Sequence, residues 1–288
     1  MNPSVACVVP THKRHDFLSE SLDSLLSQTY PLTEIIVVSD VEDPTAEEIC
    51  LNLSSRLDAP RIKFVHDPSA GNGASASRNR GASETEAQYV AFLDDDDLWK
   101  PTLLEEAVQK FEDTGTDMVV VCREIFSEYK CHPGPPMIEG LGASDVAAMS
   151  MGTTGSNMIL TRDAFKAING FDADLPVKND SDFFFRFLLQ GFSYSVVPSV
   201  LVRQRKHGLG QLTSKNERRA LGTEAYIKKH RTHLQRDDLR QLRLSIHRIR
   251  RASATNFFPR TYHLLAAIYY YRYSDYVKER QEKHIWDH

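Results

Sequence analysis

The chain has 288 residues, 41% apolar and 26% charged, with a net charge of -4. These values fit a globular protein able to bury a large core, and they exclude a disordered, collagenous or disulfide-stapled chain. No stretch reaches the roughly 20 apolar residues that span a bilayer. Met1–Pro10 lacks the basic start and cleavage site of a signal peptide, and Cys7, Cys50, Cys122 and Cys131 lack metal-ligand or redox spacing. The expectation is a cytoplasmic protein with reduced thiols. The small net charge hides an asymmetry: 15 Lys and Arg face 31 Asp and Glu through Val202, against 20 and 8 from Arg203 onward. An acidic body with a basic tail predicts different partners for the two ends.

In chain order, apolar periodicity predicts a strand at 4–9 and a helix at 15–28, with Phe17, Leu18, Leu22, Leu25 and Leu26 on one face. A strand at 34–38, a helix at 45–57, a strand at 61–65 and a helix at 74–82 follow. The next are a strand at 89–93, a helix at 101–111 opening on Pro101, and a strand at 118–121. Such alternation predicts an α/β fold, a mostly parallel sheet between helices. Residues 123–151, rich in Pro and Gly around 132–142, read as a loop and short helix that could close over a cleft. Helices are expected at 217–233, 238–251 and 259–273, the second studded with arginine and the third with tyrosine.

Polar residues cluster where such sheets bind ligands, at the carboxyl ends of strands. Pro10-Thr11-His12 follows the first strand, Ser39-Asp40 the second, and Asp94-Asp95-Asp96-Asp97 the strand that begins at Tyr89. Four adjacent carboxylates repel one another, and a hard cation such as Mg²⁺ or Mn²⁺ would offset them; a solvated acidic loop is the plainer alternative. Gly71 to Gly81 enters a helix whose N–H groups and arginines suit phosphate. Trp99 could stack on a sugar or simply pack, and Arg203, Arg205 and His207 could reach a diphosphate or a metal.

The series Val8-Val9-Pro10-Thr11, Ser24 to Pro31, Glu34 to Asp40, Ala76 to Gly81 and Phe92 to Asp97 resembles the inverting family 2 glycosyltransferases of the GT-A fold. Gly155 to Leu160, Gly170-Phe171-Asp172 and Asn179 to Phe183 resemble the acceptor half of that family, so the likeness covers roughly residues 4 to 207. It implies that Thr11 and Asp40 hold base and ribose, with Arg78, Asp94 and Asp95 also on the nucleotide sugar. It implies Asp96 as ligand to Mn²⁺ or Mg²⁺, with Asp94 and Asp97 as further candidates and His207 as a weaker one. Asp180 aligns with the general base, and Asp182 is the second choice. The chain departs from the family at Ser39, Val41 to Asp43 and Asn179, where relatives show Asp, a Gly-Ser-Thr-Asp turn and Glu.

The implied organisation is a catalytic domain at 1–212, its nucleotide-sugar half at 1–122 and acceptor half at 123–212, followed by a basic, aromatic helical extension at 213–288. The implied partners are a nucleoside diphosphate sugar, UDP favoured, and a glycan or lipid-linked acceptor in surface polysaccharide or glycolipid synthesis. An anionic membrane at the inner face of the plasma membrane, reached through 213–288, is a further candidate partner, as is a homo-oligomer; no nucleic acid is expected. A sugar-nucleotide nucleotidyltransferase is the nearest rival, but Pro10 to Arg14 lacks the glycines it would need. A non-catalytic nucleotide-sugar or membrane-binding module is the other.

Overall fold

A computed structural model describes residues 2–68, 73–149, 151–175, 177–206 and 217–277. His207 and the glycine-rich positions Gly71 and Asn72 lie outside the described residues. The chain divides into two compact units. One takes its described residues from Met1–Ala143, Ser150–Asp174 and Asn179–His207, the other from Ser144–Met149, Leu175–Lys178 and Gly208–His288.

The first unit opens with β1 (Val5–Thr11), α1 (His15–Leu26), β2 (Glu34–Ser39), α2 (Pro44–Ser54), β3 (Arg61–His66), α3 (Ala74–Ala82) and β4 (Tyr89–Phe92). There follow β5 (Leu98–Trp99), α4 (Leu103–Thr114), β6 (Met118–Phe126), β7 (Cys131–Pro133), the short α5 (Ala143–Val146) that leads out of the unit, and a 3₁₀ turn at Gly155–Asn157. Finally come β8 (Met158–Thr161), α6 (Arg162–Ala167), α7 (Asn179–Leu189) and β9 (Tyr194–Arg205). The sheet runs β3-β2-β1-β4-β8-β6-β9-β5, with β7 paired to β6. Strands β1 to β4 are mutually parallel where they pair, and so are β6 and β9. Strand β8 is antiparallel to both β4 and β6, and β5 is antiparallel to β9.

Local chemistry explains several of these elements. Every residue of β1 is buried, as a central strand covered on both faces requires. Helix α2 begins at Pro44 and is capped by Asp43, whose carboxylate accepts from Ala46 N. Helix α3 lies close on the sheet because Gly81 has no side chain: a Cβ there would collide with Val8. Strand β6 runs well past the length predicted from its apolar run, to Phe126, and its partner β9 extends to Arg205. The ladder between them skips between Val121↔Val197 and Cys122↔Val200, bracketing Pro198, which has no N–H to donate. That irregularity carries the polar end of β9 beside the acidic run. The segment expected to be loop and short helix begins instead as strand in β6 and β7, and among its described residues only α5 is helical.

The second unit contains α8 (Glu217–Lys229), α9 (Arg236–Ser253) and α10 (Phe257–Tyr270). Ala220, Ile246 and Ile249 join α8 to α9 in a small apolar cluster. Arg240 ties α9 to the far end of α10, donating to Tyr270 O at 2.6 Å and to both oxygens of Asp275 at 2.6 and 2.8 Å. Among the described residues no helix is long and apolar enough to cross a membrane.

Within the first unit, Phe183 of α7 is fully buried and stacks on Phe171 at 4.2 Å. Phe171 in turn lies under the guanidinium of Arg78, 5.1 Å from its ring centre. Phe183→Ala is therefore expected to lower unfolding free energy by about 3–5 kcal/mol in urea titration, with the loss read from the midpoint at constant slope.

Candidate functional site

The carboxyl ends of β1, β2 and β4 lie side by side, and three residues of the acidic run after β4 are enclosed: Asp95, Asp96 and Asp97 are 4%, 8% and 2% exposed, while Asp94 is half-buried. Each carboxylate has its own means of tolerating this. Asp95 accepts from Thr11 Oγ1 at 2.9 Å and from His12 N at 3.4 Å, and Arg14 Nη1 donates to its other oxygen at 3.0 Å. The same Arg14 nitrogen reaches Asp96 Oδ2 at 3.1 Å. Asp97 accepts from Ser156 Oγ at 2.6 Å on one oxygen and from Arg205 N at 2.9 Å on the other. Ser21 Oγ donates to the backbone oxygens of Asp95 and Asp97 at 2.9 and 2.6 Å, fixing the turn itself. Burial, aided by Asp94 and Asp96, pushes the Asp97 carboxyl well above the usual range. Burial also raises Asp95, to about 6, against the opposing pull of Arg14 and Thr11.

Asp94, Asp96 and Asp97 each offer a carboxylate oxygen, all within 4.8 Å of one another. An oxygen-only set of this spacing fits a hard divalent cation, and the mutual repulsion of the three is what such an ion would relieve.

Arg78, on α3, is 3% exposed and ion-paired with Asp94. Its space is made by Gly155, where a Cβ would run into the guanidinium. On the other side, Arg78 Nη1 lies 3.6 Å from Asp180 Oδ1, too far to hydrogen bond. Asp180 Oδ1 and Arg78 Nε are both buried without a hydrogen-bond partner. Burial raises the Asp180 carboxyl to about 6, with the positive charge of Arg78 pulling the other way and Asp94 adding to the rise. Its neighbour Asn179 donates to Ser75 Oγ at 2.8 Å, pinning the start of α7 to α3.

The structure thus brings Asp94, Asp96, Asp97, Arg78 and Asp180 together, and Thr11 hydrogen-bonds to the adjoining Asp95. Asp40 stands at the rim, 2.6 Å from His12 Nδ1. Asp182 is elsewhere: it is fully buried and accepts from Arg186 Nε at 2.8 Å, while Arg186 also donates to Ile168 O and to Gly170 O. Trp99 is 3% exposed and donates to Ser156 O at 2.8 Å, so it braces the 3₁₀ turn and offers no ring to a sugar. Arg203 lies on Glu124 and over Phe126, whereas Arg205 reaches Asp96 O at 3.0 Å. Arg14 and Ser156 escaped the sequence reading as site residues. The one signal for Arg14 was a basic side chain in the loop after the first strand.

The family described as Glycosyl transferase family 2 matches residues 6–165. The chain belongs to glycosyl transferase family 2. Among curated relatives, WcaA of Escherichia coli (strain K12), whose name refers to colanic acid biosynthesis, is 24% identical over 88% of this chain and 91% of its own. The uncharacterized glycosyltransferase RT0329 of Rickettsia typhi is 26% identical over 72% of this chain and 65% of its own, so the match spans less than two thirds of that relative. Among solved structures, S. aureus TarS 1-349 in complex with UDP-GlcNAc superposes with a TM-score of 0.63 at 17% identity, covering 93% of this chain and 89% of TarS 1-349. The shared fold is GT-A. In this glycosyltransferase Ser156 is fully buried, accepting from Asp94 N at 3.1 Å while donating to Asp97. Ser156→Ala is expected to cost about 1–3 kcal/mol of stability by leaving Asp94 N and one Asp97 oxygen unpaired, seen as a lower melting temperature.

Proposed function

We propose that this glycosyltransferase moves a sugar from a UDP-sugar to a hydroxyl of a glycan or lipid-linked acceptor, in a single inverting displacement with Asp180 as general base. The observation that carries the reading is the unpartnered buried oxygen of Asp180 facing Arg78, which is itself ion-paired with the acidic run. A base for an acceptor hydroxyl must be separate from the groups that hold the departing diphosphate, and it must keep a lone pair for the proton. Asp180 meets both conditions, and its pKa near 6 leaves it ionised at neutral pH yet more basic than an ordinary aspartate. Asp182, fully buried and held by Arg186 away from the other site residues, is not placed to receive that proton.

On the donor side, Thr11 and Asp40 face the nucleoside, and Arg78 offers positive charge to the phosphates. Asp95 acts through others, holding Thr11, His12 N and Arg14 in place. When bound at Asp94, Asp96 and Asp97, Mn²⁺ or Mg²⁺ supplies Lewis-acid stabilisation of the charge on the leaving diphosphate. The UDP-GlcNAc complex of TarS supports UDP as the donor nucleotide, and WcaA's name supports surface polysaccharide as the product class. In this reading residues 1–212 are the catalytic domain, divided at 122 between donor and acceptor halves, and 213–288 an appended helical module.

Asp180→Asn is expected to cut kcat about 10²–10⁴-fold while UDP affinity, measured by calorimetry, stays unchanged. A parallel loss of UDP binding would place Asp180 in the donor site instead. Because burial raises Asp180 and only its ionised form accepts a proton, kcat/KM should fall as pH drops through about 6 and level off above it. A profile flat from about pH 5 to about pH 7 would remove Asp180 from the role.

A further inference from the structure

Helix α10 carries far more apolar surface than its packing uses. Ala267 is its one buried residue among those described, while Phe257, Phe258, Tyr262, Leu265, Ile268 and Tyr269 are each 61–83% exposed. At 100° per residue these six fall within one arc of about 140°, a continuous stripe along the helix. The opposite side meets α9, where His263 lies 2.9 Å from His247 and Tyr270 stacks on the same ring at 5.6 Å. Isolated exposed apolar residues need no explanation, but an aromatic stripe of this length does.

The three helices carry an excess of positive charge. Residues 217–277 hold thirteen Lys and Arg against five Asp and Glu. Four of those five carboxylates are already engaged: Glu217 and Glu224 with Arg250, Asp237 and Asp275 with Arg240. Arg243, Arg251 and Arg260 are exposed and have no carboxylate partner among the described residues.

We propose that the exposed face of α10 seats this module on an anionic lipid surface, its aromatic rings entering the headgroup boundary while the arginines meet lipid phosphate. Tyr and Phe suit that boundary, and each arginine near an anionic leaflet adds favourable energy that salt screens. A second copy of the same face fits poorly, since two such surfaces of like charge repel. The inference does not depend on the proposed reaction, because it rests on surface chemistry in the second unit.

The test is flotation of the full chain with vesicles of phosphatidylcholine alone and of phosphatidylcholine with about a third phosphatidylglycerol, at about 50 mM and about 500 mM NaCl. Binding is expected only to the anionic vesicles and to weaken at high salt. Phe258→Ser with Leu265→Ser should reduce partitioning about tenfold or more, and Arg251→Gln with Arg260→Gln about fivefold per arginine. All four side chains are exposed, so circular dichroism and UDP binding should match the parent; those readouts also separate this test from the catalytic reading. No binding to anionic vesicles at low salt, or undiminished binding by both variants, overturns the proposal. So does a dimer that Phe258→Ser with Leu265→Ser dissociates without any vesicle binding, which would assign the face to a second copy.

Discussion

Consecutive carboxylates at the end of a buried strand repel one another and lose their water, and the first unit is assembled around offsetting that cost. Arg14 comes from the loop after β1 and serves Asp95 and Asp96. Arg78 comes from α3 and serves Asp94, while Ser156 from the 3₁₀ turn and the backbone of Arg205 from β9 serve Asp97. Four chain segments far apart in sequence therefore converge on one turn. The geometry leaves no surplus of countercharge: three carboxylate oxygens remain near enough for one divalent ion to relieve their repulsion.

Arg78 links the two halves of the proposed chemistry. It ion-pairs with Asp94 and stands within ion-pairing range of Asp180 without hydrogen bonding to it. A charge placed between a donor-side carboxylate and a base makes each sensitive to the state of the other. Binding of an anionic diphosphate would draw on the same guanidinium, and the base would then lose part of the charge that favours its ionised form. The Phe171 ring beneath Arg78 and the absent side chain at Gly155 hold that guanidinium in its place, so its position is set by packing as much as by charge.

Much of this was legible from sequence where chemistry is local. The apolar runs of β1, β2 and β4 announce buried strands, the acidic run announces itself, and the order of the motifs brings Asp180 into the same reading. What stayed hidden depends on partners distant in the chain. Asp95 looks like its neighbours, yet contacts with Thr11 and Arg14 occupy both its oxygens. Asp182 and Arg186 stand four apart on α7, a pairing that helix spacing allows, but nothing local reveals that Arg186 also bonds to the carbonyls of Ile168 and Gly170. Ser156 is one serine among many until Asp94 and Asp97 meet it across 62 and 59 residues. The antiparallel course of β8 between β4 and β6 was hidden as well, because the three apolar residues Met158 to Leu160 signal a strand but not its direction.

The central claim is that the acidic run holds the cation while Asp180 is left available for the acceptor. Anomalous diffraction at the manganese edge, from crystals grown with Mn²⁺ and UDP, tests it most directly. The account predicts one peak about 2.2 Å from an oxygen of Asp96, with Asp94 or Asp97 completing the protein ligands and Asp180 outside the coordination sphere. A peak coordinated by Asp180, or none at the acidic run while UDP is bound, would contradict it.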